Sequence, residues 1–243
     1  MSTTQDPRSN ALLAAFADEG CGSLLEALEE VDMPLGQVLG DSSQLAQHIY
    51  FPTTSIASLW CLTRNGSTAE VAAVGHEGMV GVSVFLDGGL STCGAVVQSA
   101  GKGLRLNARL IKTAFDRGGP VTQIVLRYIQ VVMTQMTQAA VCNRHHRVDS
   151  QLSRWLLQTQ DRLHGQDIHM THDLIARALG VRREGVTQGA MKLQRAGLIR
   201  YGRGQITVLD RRGLEQQACE CYALVKRASE RLRTAGMATC TTA

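Results

Sequence analysis

The sequence predicts an α+β protein: an antiparallel β-rich half, a long helix, then a C-terminal winged helix-turn-helix. Three observations carry this. Between Pro34 and Leu106 short β-rich stretches alternate with Gly, Asn, Asp and Ser. From Val121 to about Arg144 the chain lacks Gly and Pro and spaces its apolar residues as a helix does. Beyond it, a helix, a Gly-containing turn and a second helix precede a basic, Gly-rich hairpin at Arg200–Val208.

Residues 8–30 read as short helical segments, with Ala11, Leu12, Ala15 and Phe16, then Leu24, Leu25 and Leu28, at helical spacing. Strands are expected at Gln47–Phe51, Ser55–Leu62, Thr68–Val74, Gly94–Gln98 and Gly103–Leu106. Arg64-Asn65-Gly66-Ser67 is a hairpin signal because Asn-Gly accepts positive φ at low cost. Glycines at 75, 78, 81, 88 and 89 mark turns between short strands. Many short strands without long helices between them suggest a roll, barrel or sandwich, not a parallel βαβ sheet.

Asn107 can cap a helix at Ala108–Arg117, which Gly118-Gly119-Pro120 stops. On the long helix that follows, Val125, Ile129, Val132, Met136 and Ala139 recur in a coiled-coil-like seam, and Ile124, Tyr128 and Val131 form a second stripe. Two apolar faces need two burial partners. One face is expected against the chain's own β domain and the seam against a second subunit; burial of both within one chain is the alternative. Asp149–Leu163 is a further amphipathic helix.

Composition sets the outer bounds. The 243 residues are 44% hydrophobic and 19% charged, enough to bury a core in one large or two modest domains. No apolar run approaches the roughly 18 residues of a membrane span. Met1–Asp6 lacks the basic and apolar regions of a secretory signal. Seven scattered cysteines read as reduced thiols, so a cytoplasmic location is expected. The net charge of +4 divides unevenly: −4 over residues 1–143 and +8 over 144–243. A basic half joined to an acidic one suggests that one part meets a polyanion. With no long basic amphipathic helix carrying Trp or Phe, nucleic acid is favoured over a membrane surface.

The sharpest segment lies in the basic half. Thr171 can cap a short helix with Leu174, Ile175, Ala178 and Leu179 on its apolar side. Gly180 suits a tight turn and Val181 can plug the junction. Arg182-Arg183-Glu184 opens a second helix running to about Ala196, with Val186, Ala190 and Leu193 inward and Arg182, Arg183, Glu184, Thr187 and Gln188 outward. This is the helix-turn-helix pattern, and the following hairpin is a basic wing. A recognition helix brings its first turns closest to base edges. Arg183 can pair with guanine, Glu184 can accept from cytosine and Gln188 can read adenine. Arg182, Thr171, Arg200 and Arg203 suit phosphate contacts, which fix register without reading sequence.

These segments, in this order, resemble the Crp/Fnr family of bacterial transcription regulators over about residues 30–212. The closest match is Thr171 with Leu179-Gly180-Val181-Arg182-Arg183-Glu184-Gly185-Val186-Thr187. Arg183 and Glu184 fall on the family's base-reading Arg and Glu, while Arg182 and Gly185 depart from its usual Ser/Thr and Thr. Gln188 stands where some members carry a second base-reading Arg. The resemblance implies a homodimer along the long helix, a cyclic-nucleotide-binding-like roll that receives a signal, a pseudo-palindromic double-stranded DNA site, and RNA polymerase as a further partner. Cyclic-nucleotide-binding relatives carry a Gly-Glu-Leu and an Arg-Ser/Thr-Ala segment. Here these positions look like Gly78-Met79-Val80 and Cys93-Gly94-Ala95, with neither carboxylate nor guanidinium. Met79, Val80, Cys93 and Gly94 therefore mark a candidate effector pocket that is not expected to take cyclic AMP in the usual mode. Glu77 could enter only by a register shift. An iron–sulfur cluster of the family's kind is not expected, because Cys21 alone precedes Cys61. His48, Cys61, His76 and Cys93 are haem-ligand types without ligand-pair spacing.

Other constellations read as structural. Cys142-Asn143-Arg144-His145-His146-Arg147 reads as a polar hinge rather than a metal site, His169 and His172 as a loop-and-cap pair, and Cys219-Glu220-Cys221 lacks the C-x-x-C interval. No catalytic set, cofactor or metal site is expected. Leu214–Leu232 reads as one more amphipathic helix, and Thr234–Ala243 as a tail. The expected parts are 1–119, a roll with N-terminal helices; 120–146, a dimerisation helix and hinge; 147–213, the winged helix-turn-helix; and 214–243, a C-terminal helix and tail. The expected function is a homodimeric, sequence-specific DNA-binding regulator. The alternative is a ligand- or redox-responsive signalling module acting through protein contacts.

Overall fold

In the computed structural model, which describes residues 5–40, 45–62, 64, 68–86, 93–163 and 167–234, a buried asparagine sets the start of the fold. Asn10 Oδ1 caps α1 (Ala11–Asp18) by accepting from the amides of Leu12 and Leu13. Its Nδ2 donates to the carbonyls of Pro52, at 2.9 Å, and Gly78, at 2.8 Å. Every polar atom of this fully buried side chain is thus paired, which burial demands.

After α2 (Gly22–Leu25) come β1 (Glu29–Met33), β2 (Val38–Gly40), β3 (His48–Pro52), β4 (Ile56–Leu62), β5 (Thr68–Val74), β6 (Gly94–Ser99) and β7 (Gly101–Asn107). One sheet has the order β1-β7-β3 and another β2-β6-β4-β5, with β1–β7, β3–β7 and β2–β6 antiparallel. Phe16, Met33, Ile49, Phe51, Leu104 and Leu106 are buried between these elements. The expected strands are present. The helical reading of residues 8–30 needs one correction: helix ends at Leu25, and Glu29–Met33 is a strand. The charged run Glu29-Glu30 is held in the sheet by cross-strand partners, Arg105 at 2.7 Å from Glu29 and Lys102 at 2.6 Å from Glu30. The turn residues Asn65–Ser67, and Gly88 and Gly89, lie outside the described residues, as does the tail beyond Thr234.

α3 (Ala108–Asp116), capped by Asn107, leads to α4 (Pro120–His145), 26 residues long. Here the expected seam is corrected. Val125 and Val132 are buried within the chain itself, and Ile129, Met136 and Ala139 are only half-buried. The apolar residues that α4 exposes are Leu126 (51%), Met133 (56%) and Val141. The outward stripe lies one position along from Val125 and Val132, a rotation of about 100° that periodicity alone does not fix.

Two compact units divide the chain: Met1–Leu59 with Ala73–Met133 and Ala228–Ala243, and Trp60–Ala72 with Thr134–Arg227. The second unit is built on α5 (Val148–Arg162), followed by β8 (Ile168–His169), α6 (His172–Leu179), α7 (Arg183–Arg195), β9 (Ile199–Gly202), β10 (Gln205–Val208), α8 (Arg211–Gln217) and the part of α9 (Cys221–Thr234) that ends at Arg227. The expected single helix at Leu214–Leu232 is two, because Ala218 takes an extended conformation (ψ 153°) after α8. Arg211 fastens α8 in place: its Nη2 lies 2.6 Å from both Asp161 Oδ1 and Tyr222 Oη, and its Nε 3.2 Å from Glu215.

The reading of all cysteines as reduced thiols is also corrected. Cys61 and Cys93 are each disulfide-bonded, whereas Cys21, Cys142, Cys219 and Cys221 are free thiols. Sequence spacing carries no signal for such a bond, which depends on where the strands bring the two Cβ atoms. No helix among the described residues is long and apolar enough to cross a membrane.

Candidate nucleic-acid interface

The helix-turn-helix forms as its local signals require. Thr171 Oγ1 accepts from the amide of Leu174, and Gly180 ends α6 in the left-handed region (φ 64°) that glycine enters without strain. Ile175, Ala176 and Leu179 of α6 and Val186, Ala190 and Leu193 of α7 are buried. α5 crosses α7 at small residues. A methyl group on Gly189 would stand 3.3 Å from Leu152, and one on Gly185 3.7 Å from Val148. Gly185 thus sits under α5, where an added methyl group would make ordinary van der Waals contact with Val148.

The outer face is open. Arg182, Arg183, Glu184 and Gln188 are exposed, as are Thr171, Arg200 and Arg203. Arg183 is the first residue of α7, and its Nε lies 3.6 Å from Asp173 Oδ1 on α6, both side chains well exposed. Such a pair orients the guanidinium but contributes little stability. The wing is a two-stranded ribbon in which Ile199–Gly202 pairs with Gln205–Val208, and β8 adds to β10. Its tip, Arg203-Gly204, has positive φ at both residues (53° and 77°), as a two-residue hairpin turn demands. The turn projects Arg203 outward.

Thr187 does not belong to this outer face. It is half-buried, accepting or donating at 3.0 Å to His172 Nδ1 and donating to the carbonyl of Arg183 at 3.1 Å. Sequence reasoning also undervalued His172. This buried first residue of α6 stacks on Tyr201 of the wing, with ring centroids 4.1 Å apart, so one imidazole joins α6, α7 and β9. Because the Thr187 hydroxyl donates to Arg183, His172 Nδ1–H donates to Thr187 and Nε2 is left buried without a partner. Burial first, then the charge of Arg183, lowers the His172 pKa below its ordinary 6.5, against a smaller opposing effect of Asp173.

A pH effect follows. The unfolded chain binds a proton at His172 more readily than the native one, so stability is present above the unfolded pKa and is lost as pH falls below it. Between about pH 7.5 and pH 5.5 the urea midpoint of the wild type is expected to fall more than that of His172→Phe, which keeps the stack and cannot titrate. Equal falls would show that His172 does not titrate on unfolding.

The candidate effector residues sit differently. Met79 and Val80 are buried, Gly94 is buried and Cys93 is half-buried and disulfide-bonded. Tyr128 of α4 lies over Gly78, and its hydroxyl donates to the Met79 carbonyl at 2.8 Å. Glu77, the residue that a register shift would bring in, instead accepts from the Gly75 amide at 3.2 Å within its own turn.

One grouping was set aside on spacing and is assembled by the fold. Cys142 on α4 and His146 just past its end meet Cys219 and Cys221 at the α8–α9 junction, and the four ligating atoms lie within 4.8 Å of one another. The hydrogen bond between Cys142 and Cys219 pushes the Cys142 thiol up and brings Cys219 down to about 6. Burial pushes Cys221 up to about 11.

A capped helix-turn-helix followed by a basic wing is the arrangement of a DNA-binding domain. Residues 150–217 match the family model of the Crp-like helix-turn-helix domain. No curated protein matches the sequence. Among solved structures, FixK2 from Bradyrhizobium japonicum is similar with a TM-score of 0.69 at 15% identity, covering 79% of this chain and 98% of that one. A candidate transcriptional regulator of the Crp/Fnr family from Eubacterium rectale gives a TM-score of 0.65 at 17% identity, covering 80% and 91%. TTHB099, a transcriptional regulator of the CRP family from Thermus thermophilus, gives 0.64 at 18% identity, covering 77% and 96%. The chain thus carries a Crp-like helix-turn-helix domain, and its fold is that of the Crp/Fnr regulators.

Proposed function

We propose that the protein acts as a homodimer on a pseudo-palindromic DNA site, with one α7 in each of two major-groove segments about one helical turn apart. The observation that carries this reading is the exposed row Arg182, Arg183, Glu184 and Gln188 at the front of α7, beside a wing that presents Arg200 and Arg203. Arg183 pairs with guanine, Glu184 accepts from cytosine and Gln188 reads adenine. Thr171, Arg182, Arg200 and Arg203 hold phosphates. The exposed Leu126 and Met133, seven residues apart on α4, supply an apolar stripe for the second copy. RNA polymerase is the further protein partner that this reading implies.

The roll is proposed not to take cyclic AMP in the usual mode. Gly78-Met79-Val80 offers no carboxylate and is covered by Tyr128, and Cys93-Gly94-Ala95 offers no guanidinium. No catalytic role is assigned to the chain. The direct test is binding of the purified protein to fragments it selects from genomic DNA, followed across a salt series. Affinity is expected to fall steeply, with a log–log slope of about 0.9 per phosphate neutralised, and the complex to contain two chains. Indifference to DNA at low ionic strength would remove this reading.

A further inference from the structure

Cys142 lies in the last turn of α4 and His146 is the first residue past its end, with its amide still bonded to the Cys142 carbonyl at 3.0 Å, so a thiol and an imidazole stand together at the helix terminus. The junction between α8 and α9 presents Cys219 and Cys221 to that face. Cys142 Sγ is 3.5 Å from Cys219 Sγ, and Cys221 Sγ is 3.7 Å from His146 Nδ1. Around a tetrahedral zinc ion with Zn–S of about 2.3 Å, neighbouring sulfurs stand about 3.8 Å apart. The four atoms therefore span one coordination sphere. An iron–sulfur cluster distributes its ligands over several irons, and a set this tight suits a single ion.

The surroundings fit a ligand set. His146 Nε2 lies 3.3 Å from Glu220 Oε1. A proton on Nε2 shared with that carboxylate leaves the Nδ1 lone pair facing the sulfurs, the arrangement that orients metal-bound histidines. Gln151 Nε2 donates to the carbonyls of Cys142, at 3.2 Å, and His146, at 2.8 Å, and so fixes the end of α4 and the residue that follows it. All three cysteines are buried, and Cys142 and Cys221 have no exposed surface.

We infer that Cys142, His146, Cys219 and Cys221 form a closed Cys3His site for one zinc ion, which fastens the end of α4 to the α8–α9 junction. With four protein ligands and no open position the ion is structural, not catalytic. Binding displaces the thiol protons, and three thiolates and the imidazole complete the sphere. The site lies just before α5, so it fixes the point at which the helix-turn-helix unit begins. The inference is independent of the DNA contacts, because it concerns neither α7 nor the wing.

The test uses the full-length protein purified anaerobically in reductant. Elemental analysis is expected to find one zinc per chain. Apo-protein titrated with Co(II) is expected to develop a thiolate-to-cobalt charge-transfer band and the intense d–d bands of tetrahedral coordination, both abolished by added Zn(II). Cys219→Ser is expected to lose the metal. Glu220→Gln, at a side chain 69% exposed and so compatible with folding, is expected to weaken zinc affinity by about 10–100-fold. A metal-free wild type whose Co(II) titration gives no charge-transfer band would overturn the assignment. So would a Cys142–Cys219 disulfide recovered from the anaerobic preparation.

Discussion

Arg183→Ala is expected to lower affinity for the cognate site by about 10–100-fold, roughly 1–3 kcal/mol, with much smaller loss on scrambled DNA. Arg183 opens α7, and its guanidinium is exposed and only loosely held by Asp173 at 3.6 Å. A bidentate pair with guanine is available to an arginine so placed, and the alanine variant leaves the base unpaired while the helix persists. Arg203→Ala is expected to behave differently. Arg203 stands at the wing tip with φ of 53°, far from the α7 N-terminus in sequence, and a phosphate contact there weakens all sequences alike and lowers the salt slope by about one unit. Alanine keeps the same Cβ as arginine, so the backbone strain of the turn does not change between the two proteins. Fluorescence anisotropy with cognate and scrambled duplexes at two salt concentrations separates the two behaviours. If both variants lose affinity equally on both duplexes, Arg183 does not read a base.

What the sequence revealed follows the range of each interaction. The helix-turn-helix was legible because its determinants are local: Thr171 caps three residues ahead, and Gly180 is needed where φ is 64°. The long helix was legible because Gly and Pro are absent across it. β1 was not, since Glu29 and Glu30 become strand residues only beside Arg105 and Lys102, more than 70 positions away. Periodicity found two apolar stripes on α4, and the chain buries residues of both, Val125 and Val132 of one and Ile124, Tyr128 and Val131 of the other; the exposed pair Leu126 and Met133 belongs to neither. The Cys142–His146–Cys219–Cys221 grouping was invisible because its halves are 77 residues apart and Cys219-x-Cys221 matches no familiar ligand interval. His172 was read as a cap, and only the fold shows that its ring bridges α6, α7 and the wing.

Gly78→Ala is expected to destabilise the first unit by about 1–3 kcal/mol or more, as overpacking of a filled core does. A Cβ at that position would stand 2.7 Å from Tyr128 Cζ, with other ring atoms nearer still. The ring cannot swing aside cheaply. Tyr128 is 1% exposed, and its hydroxyl is held at 2.8 Å by the Met79 carbonyl, so any displacement that relieves the clash also breaks a buried hydrogen bond. Tyr128→Phe alone is expected to cost about 1–3 kcal/mol, because it leaves that carbonyl buried and unpaired. The double variant discriminates between a local clash and a general loss of fold. Once Tyr128 is reduced to alanine, the added methyl group at position 78 meets space, so Gly78→Ala is expected to cost far less in the Tyr128→Ala background than in the wild type. Urea unfolding of the four proteins of this cycle gives the coupling directly. Additive losses would mean that Tyr128 does not occupy the ground in front of Gly78, and the stretch from Gly78 to Val80 would again be open to a ligand.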